Sequence, residues 1–305
     1  MTVFFKEFVE VCKNDLLIKN IFEHHTYPSL GKTDAWEKVC KKSKNVKEDK
    51  VSINNFIKKF FRVKLFDKNP GVLTGYYEPS IKVSLDTNNF YKIPILKKNK
   101  KFLNKTRRFI EKNYRKEDVL LWTDNKIDFF FLQIQGSGIG ILPDGKKIRL
   151  SFSGSNKLNY TSIGKHLIRK GALKKNVSMF SIKNWLNTNP EKINDVLNIN
   201  QRYVFFTLDE LKNEYARGAM NIPLQPYTSV AIDIKKYPLG IPFILEIEEE
   251  NRLFPVIAHD TGSAIKGFNR ADIFTGSSTQ SEIIAGKLKK KIYLFTLLPY
   301  IENHD

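Results

Sequence analysis

Residues Phe254–Gly276 read FPVIAHDTGSAIKGFNRADIFTG, an apolar run that ends in one aspartate and turns back to meet a second. Leu253–His259 has strand composition and leads straight into Asp260. Thr261-Gly262-Ser263 reads as a turn, Ala264-Ile265 is apolar, and Lys266-Gly267 turns the chain again before Asp272 arrives beside Ile273 and Phe274. Such a turn-and-return path can bring together two carboxylates that lie twelve positions apart. Apolar surroundings raise a carboxyl pKa, and a second carboxylate nearby raises it further. A carboxyl group that keeps its proton near neutrality can serve as a general acid. Two plainer readings stand beside this one. Asp260 can cap its own turn through the backbone, and Asp272 can pair with Arg270 or Lys266. Asp260-Thr261-Gly262-Ser263 after an apolar strand also matches the aspartic-protease signature, but that chemistry needs two such motifs sharing a proton, and this chain has one.

Outward from this stretch, the pattern predicts strands over Ser229–Ile234, Ile241–Ile247 and Lys291–Leu297. Asp233 opens a turn that runs to Gly240. The first 65 residues read as helical, with Ser52 as cap of a helix whose Phe56, Ile57, Phe60 and Phe61 recur at helical spacing. Strand character begins near Gly71, over Val72–Tyr77 and again over Phe90–Leu96. Residues 105 to 122 read as a helix. Phe129–Gln135 reads as a strand with Leu132 and Ile134 on one face and Gln133 and Gln135 on the other. Amides both donate and accept, which suits sugar hydroxyls. Asp144-Gly145 suggests a hairpin turn, Thr161–Lys170 a helix ending at Gly171, and Asn189-Pro190 the start of another helix. Tyr203–Phe206 is a further strand. Strand-rich stretches at both ends with a mixed segment between them suggest an inserted domain.

The formal net charge of +19, from 51 Lys+Arg against 32 Asp+Glu, favours polyanionic partners such as nucleic acid, anionic lipid or an acidic wall polymer. No nucleic-acid motif accompanies it, so a nucleic-acid partner is not expected. Cys12 and Cys40 can pair, though their spacing does not require it. No Cys/His cluster has metal-ligand spacing, so no metal is expected, and His24-His25 reads as a solvated turn. Gly136-Ser137-Gly138 lacks the glycine, lysine and helix of a nucleotide site, and no cofactor is implied. The N-terminus reads as an amphipathic helix interrupted by Lys6, Glu7, Glu10 and Lys13 rather than as a signal peptide, and no segment is long and apolar enough to span a membrane. The expectation is a soluble chain, and a mature form trimmed of an export signal would read the same way.

Five segments in order resemble the MltA family of lytic transglycosylases. They are Leu73-Thr74-Gly75-Tyr76-Tyr77-Glu78-Pro79, Gln133-Ile134-Gln135-Gly136-Ser137-Gly138, Asn159-Tyr160-Thr161-Ser162-Ile163-Gly164, Tyr203-Val204-Phe205-Phe206, and the closing DTGSAIKGFNRADIF. The last is similar to the family's three-aspartate module, its aspartates being Asp233, Asp260 and Asp272. The resemblance covers roughly residues 71 to 298. Ser263, Thr275 and the stretch SSTQSEIIAG after Gly276 depart from the family pattern.

The resemblance implies an α+β, mainly β fold. A double-psi β-barrel of residues 1–95 and 214–305 would carry an inserted β-rich domain of residues 96–213, with a groove between them. It implies cleavage of peptidoglycan glycan strands without water, at the β-1,4 bond from N-acetylmuramic acid to N-acetylglucosamine, leaving 1,6-anhydro ends. Asp272 would be the acid/base and Asp260 its support, with Asp233 structural. Tyr76, Tyr77, Gln133, Gln135, Ser137 and Lys266 would contact sugar. A monomer in the periplasm or cell envelope is expected, with any membrane attachment supplied by a segment absent from this sequence. The competing reading is a non-catalytic glycan-binding protein of the same fold.

Overall fold

The computed structural model describes residues 1–26, 29–174, 177–211 and 214–300. The expected domain junction at 213/214 adjoins residues outside this set, as do the last five of the barrel domain. In chain order the first elements are α1 (Thr2–Val11), α2 (Leu16–Phe22), α3 (Thr33–Ser43), α4 (Lys50–Phe60), β1 (Phe61–Leu65), β2 (Gly71–Tyr76), β3 (Ser80–Ser84) and β4 (Ile93–Leu96). Next come α5 (Arg107–Asn113), β5 (Val119–Thr123), α6 (Lys126–Gln135), β6 (Gly138–Ile141), β7 (Lys147–Ser155), α7 (Ile163–Arg169), α8 (Met179–Thr188), α9 (Ile193–Ile199) and β8 (Val204–Asp209). The last are β9 (Ser229–Ile232), β10 (Pro242–Ile247), β11 (Arg252–Thr261), β12 (Arg270–Phe274), α10 (Thr279–Lys287) and β13 (Lys289–Pro299).

The chain forms two compact units. One comprises Met1–Gly75, Arg217–Thr275 and the chain from Leu288 onward, and the other Tyr76–Ala216 with Gly276–Lys287. In the first unit seven strands pair in the order β1-β13-β10-β11-β9-β12-β2, and β2 also pairs with β13. That extra pairing closes the six strands from β13 to β2 into a barrel and leaves β1 outside it on β13. Closure gives the backbone groups of these strands partners and removes open edges. Val230, Ile232, Phe243, Leu245, Val256, Ala271, Ile273 and Leu294 fill the core. The alternation of a strand therefore sends Ala231 and Asp272, the intervening residues, to the other face of the sheet.

The N-terminal helices seal this core as their periodicity predicts. Phe4, Phe5, Phe8 and Val11 of α1 are buried. The α4 cap is Asp49 rather than Ser52: its carboxylate accepts from the Ser52 N–H at 2.8 Å and from the Ser52 hydroxyl at 2.7 Å. An anionic acceptor at the positive end of a helix outcompetes a hydroxyl three positions inside it. Cys12 at the end of α1 is disulfide-bonded to Cys40 of α3, with Cα atoms 5.3 Å apart.

In the second unit six strands pair in the order β4-β5-β3-β6-β7-β8. The β6–β7 hairpin turns through Asp144-Gly145 as expected, with Gly145 at φ +82°. Two expectations fail here. Residues 105 to 122 are not one helix, because α5 stops at Asn113 and Leu121 and Trp122 pair with β4. Phe129–Gln135 is not a strand but the body of α6. Asn125 caps it by accepting from the Ile127 and Asp128 N–H groups at 2.9 and 3.1 Å, and Gly136 ends it at φ +92°. These end signals, with burial of Ile127 and Phe129–Gln133, override the strand preference of a Phe/Ile run. The consequence is large for the two glutamines. Two positions apart on a helix they are rotated by about 200°, instead of sharing a strand face.

Removing the disulfide as Cys12→Ser/Cys40→Ser should lower the unfolding free energy by about 3–4 kcal/mol, since the closed loop is restrained in the unfolded chain. Denaturant melts of the two proteins under non-reducing conditions measure it. A second stability effect lies at Glu7 of α1. Its Oε2 sits 3.9 Å from Nε2 of His259, which is fully buried. Burial, reinforced by Glu10, raises the Glu7 carboxyl to about 7. A folded-state pKa above the unfolded one means that the folded form is weakened as pH rises from about 4.5 to 7 and stays weakened above it. Glu7→Gln should therefore raise Tm at pH 8 and leave it nearly unchanged at pH 4.

Candidate active site

Asp272 lies on β12 opposite Ala231 of β9, with Ala271 and Ile273 turned into the barrel core. Its Oδ1 accepts a hydrogen bond of 2.6 Å from the Thr74 hydroxyl on β2. Arg270 donates to the same hydroxyl oxygen at 2.8 Å and to the Val72 carbonyl at 3.2 Å. It also donates to its neighbour's carbonyl, that of Ala271. With one lone pair of Thr74 occupied by the guanidinium, its proton is directed at Asp272. Burial pushes the Asp272 carboxyl above the usual carboxylate range, while the Thr74 hydroxyl and the Arg270 charge oppose the shift. The expected pairing of Asp272 with Arg270 is thus made through a hydroxyl.

Asp260 aligns with the same Ala231 from the other side, across the parallel pair β9–β11. A bulge between Ala258 and Asp260 makes this alignment, with His259 as the extra residue. Asp260 and Asp272 therefore flank one alanine in a single row, with two strand spacings, about 9–10 Å, between their backbones. Asp260 Oδ1 accepts from the Ala219 and Thr261 N–H groups at 3.0 and 2.9 Å. This is the turn-capping role. Burial, and not Asp260, leads the forces that raise Asp272.

Asp233 is buried and ties two turns together. Its Oδ1 accepts from the Lys235 N–H at 3.1 Å and its Oδ2 from the Gly267 N–H at 2.9 Å, where Gly267 has φ +106°. Lys266 is exposed, its Nζ 3.8 Å from Asp233. Among the described residues no group of three His, Cys, Asp or Glu side chains is placed to hold a metal ion.

In the second unit the family-like segments meet in two places. The Tyr77 N–H donates to Gln135 Oε1 at 3.2 Å. Tyr76 and Tyr77 are both buried, and burial together with the Glu282 and Asp128 carboxylates raises the Tyr77 hydroxyl pKa. Lys183 bridges those two carboxylates at 2.9 and 3.0 Å. Ser137 is partly exposed in the turn after α6. Gln133, expected to reach sugar, is a core residue: its Oε1 accepts from Arg107 at 2.6 Å and its Nε2 donates to the Val204 carbonyl at 2.9 Å. The reason is the helical turn that separates it from Gln135. Glu78, buried and quoted only as part of a segment, accepts from Arg149 at 3.0 Å and from the Ala216 N–H at 3.3 Å. Thr74, Glu78 and Arg149 carried no separate signal beyond Thr74 and Glu78 standing in the Leu73–Pro79 segment, and Arg270 was read only as a possible ion-pair partner of Asp272.

A closed β-barrel that presents a half-buried, hydroxyl-bonded aspartate on its outer face is suited to carboxyl acid/base chemistry. Comparison with known proteins gives the family. Residues 72–207 match the model of the MltA specific insert domain, and residues 228–298 that of the 3D domain. A membrane-bound lytic murein transglycosylase A homolog of Buchnera aphidicola is 34% identical over 253 residues, which is 77% of this chain and 68% of that protein. The solved structure of a membrane-bound lytic murein transglycosylase from Agrobacterium tumefaciens superposes with a TM-score of 0.80 at 23% identity, covering 93% of this chain and 91% of that one. E. coli MltA, solved with bound chitohexaose, gives 0.75 at 24% identity, over 97% and 90% of the two chains. The chain belongs to the MltA family of lytic murein transglycosylases.

Thr74→Val should raise the Asp272 pKa, because it removes a hydrogen bond that favours the carboxylate. The Asp272 side-chain carbon, followed by NMR across a pH series, should titrate at higher pH in the variant than in the unaltered chain. An unshifted Asp272 titration in a folded Thr74→Val protein would contradict this coupling.

Proposed function

We propose that Asp272 is the acid/base of a lytic transglycosylation on the glycan strands of murein, cleaving the β-1,4 bond from N-acetylmuramic acid to N-acetylglucosamine. The protonated carboxyl gives its proton to the leaving glycosidic oxygen as the C1–O bond breaks. The resulting carboxylate then takes the proton of the muramic C6 hydroxyl as that oxygen bonds to C1. The products are a free 4-hydroxyl and a 1,6-anhydro end, and no water is consumed. A C6 oxygen held on the same sugar has a large effective-concentration advantage over bulk water.

The observation that carries this reading is the state of Asp272: half-buried, raised in pKa by its surroundings, and hydrogen-bonded to a hydroxyl rather than directly to a cation. Burial keeps the proton available for donation. The Arg270–Thr74 relay stabilises the carboxylate once the proton has left. A hydrolase needs a second carboxylate to attack or to activate water. Asp260, the nearest candidate, has Oδ1 engaged by two backbone N–H groups and serves to shape the strand end beside Asp272. Asp233 holds the Lys266-Gly267 turn in place, with Lys266 exposed to meet substrate.

Of the sugar contacts expected from the sequence, Tyr76, Tyr77, Gln135, Ser137 and Lys266 remain in this proposal, and Gln133 leaves it. The Buchnera relative is named for murein cleavage, and the E. coli structure holds a chito-oligosaccharide, which supports a glycan of N-acetylated sugars as substrate. The Cys12–Cys40 disulfide fits an oxidising compartment such as the periplasm, and relatives named as membrane-bound support a cell-envelope location. All three aspartates come from one chain, which supports action as a monomer. No helix among the described residues is long and apolar enough to cross a membrane.

Digestion of purified murein sacculi, followed by mass spectrometry of the soluble products, tests the proposal. Products ending in 1,6-anhydromuramic acid are expected from this chain, and Asp272→Asn should reduce their formation by at least a thousandfold while keeping its melting temperature. Reducing muramic ends would show hydrolysis. Retention on sacculi without products would favour a binding protein.

A further inference from the structure

The second unit contains a cavity of about 560 Å³ built by α5, α6, α9 and the start of β4. Its lining carries five cationic side chains, Lys92, Arg107, Arg108, Lys112 and Lys126, against one carboxylate, Glu111. Glu111 is already engaged, by Lys126 at 2.7 Å and Arg107 at 3.6 Å. Arg108 faces Asp195 at 3.0 Å in an exposed pair. Lys92 and Lys112 are exposed and in no ion pair among the described residues.

The floor is preorganised. The buried Arg107 donates to the Asn200 carbonyl at 3.0 Å, to Gln133 Oε1 at 2.6 Å and to the Arg202 carbonyl at 2.7 Å. Its guanidinium lies 4.8 Å from the Phe130 ring centre and 5.1 Å from that of Tyr203. An arginine carries five N–H donors, so these three bonds fix the group without exhausting it. Asn198 adds the opposite polarity. Its Nδ2 donates to the Asn194 carbonyl at 2.6 Å, while its buried Oδ1 has no partner. A surplus of cations beside an unfilled acceptor matches a ligand that offers both a carboxylate and N–H donors. An inorganic anion offers negative charge but no N–H donors, and a plain glycan lacks the charge.

We propose that this cavity binds the carboxylate-bearing peptide stem carried by murein glycan strands. The inference rests on the murein reading above. Phe130 of the cavity and Gln135, the partner of Tyr77, stand five positions apart on α6, about 7.5 Å along the helix. The cavity is thus close to residues proposed to contact sugar in the same unit, within reach of a peptide attached to that sugar. Its volume is in the range of sites that hold small ligands.

The test is calorimetric titration of the full chain with three probes: a synthetic murein stem tripeptide with free carboxylates, the same peptide with its carboxylates amidated, and inorganic phosphate. The free peptide should bind at least tenfold more tightly than the amidated one and more tightly than phosphate. Lys92→Glu/Lys112→Glu should weaken peptide binding at least tenfold at an unchanged melting temperature. Equal binding of free and amidated peptide, phosphate binding as tight as the peptide, or an unweakened, folded double variant would each overturn the proposal. Cleavage of peptide-free glycan strands by the unaltered chain reports on the murein reading separately, since it needs no peptide.

Discussion

The hydrogen bond from Thr74 to Asp272 depends on one event of folding, the closure of the barrel. Thr74 and Asp272 are 198 positions apart. They meet because β2 takes its place in the sheet next to β12 and is tied on its other side to β13, where Thr74 aligns with Lys289. Without β2 beside β12, Asp272 would stand on an edge strand, more open to water, and the burial that raises its pKa would be lost. The catalytic proposal, the relay from Arg270 and the shape of the strand ends therefore rest on the same pairing. Gly71, where β2 begins, shows how tight that approach is: a Cβ there would stand 1.5 Å from the Asn269 carbonyl oxygen.

The bulge on β11 is the second device. One extra residue, His259, is taken up between Ala258 and Asp260. It sends a histidine into the interior, where burial depresses its pKa to about 3 and holds it neutral, with Nδ1 2.8 Å from the Ser229 hydroxyl. The same shift brings Asp260 level with Ala231 and Asp272. A regular strand would carry Asp260 out of this row, since a one-residue change of register reverses the face of every side chain beyond it.

In the second unit, buried arginines do the organising. Arg149 pairs with Glu78, and Arg107 joins α5 to Gln133 of α6 and to the carbonyls of Asn200 and Arg202. Each guanidinium links segments distant in sequence, and removal of either would leave buried acceptors unpaired, a larger loss than the bonds themselves contribute. The same Arg107 forms the floor of the cationic cavity, so the group that holds the fold also supplies its positive potential.

Much of this was legible in the residues alone. The apolar run into Asp260, the return to Asp272 and the Asp144-Gly145 turn are short-range signals, and they survive because local chemistry and tertiary packing agree there. The amphipathic N-terminal helix, with apolar residues at helical spacing, was equally plain. Tertiary structure decided the rest. Phe129–Gln135 has strand composition, but the Asn125 cap, the Gly136 stop and burial on several sides make it helical, and this parts Gln133 from Gln135. The Cys12–Cys40 bond depends on the fold bringing the end of α1 to α3, which no spacing dictates. That Asp272 is answered by Thr74 and Arg270, and not by Asp260, follows from strand order and register. These are long-range properties: the sequence determined which residues could carry the chemistry, and only closure of the sheet determined which of them touch.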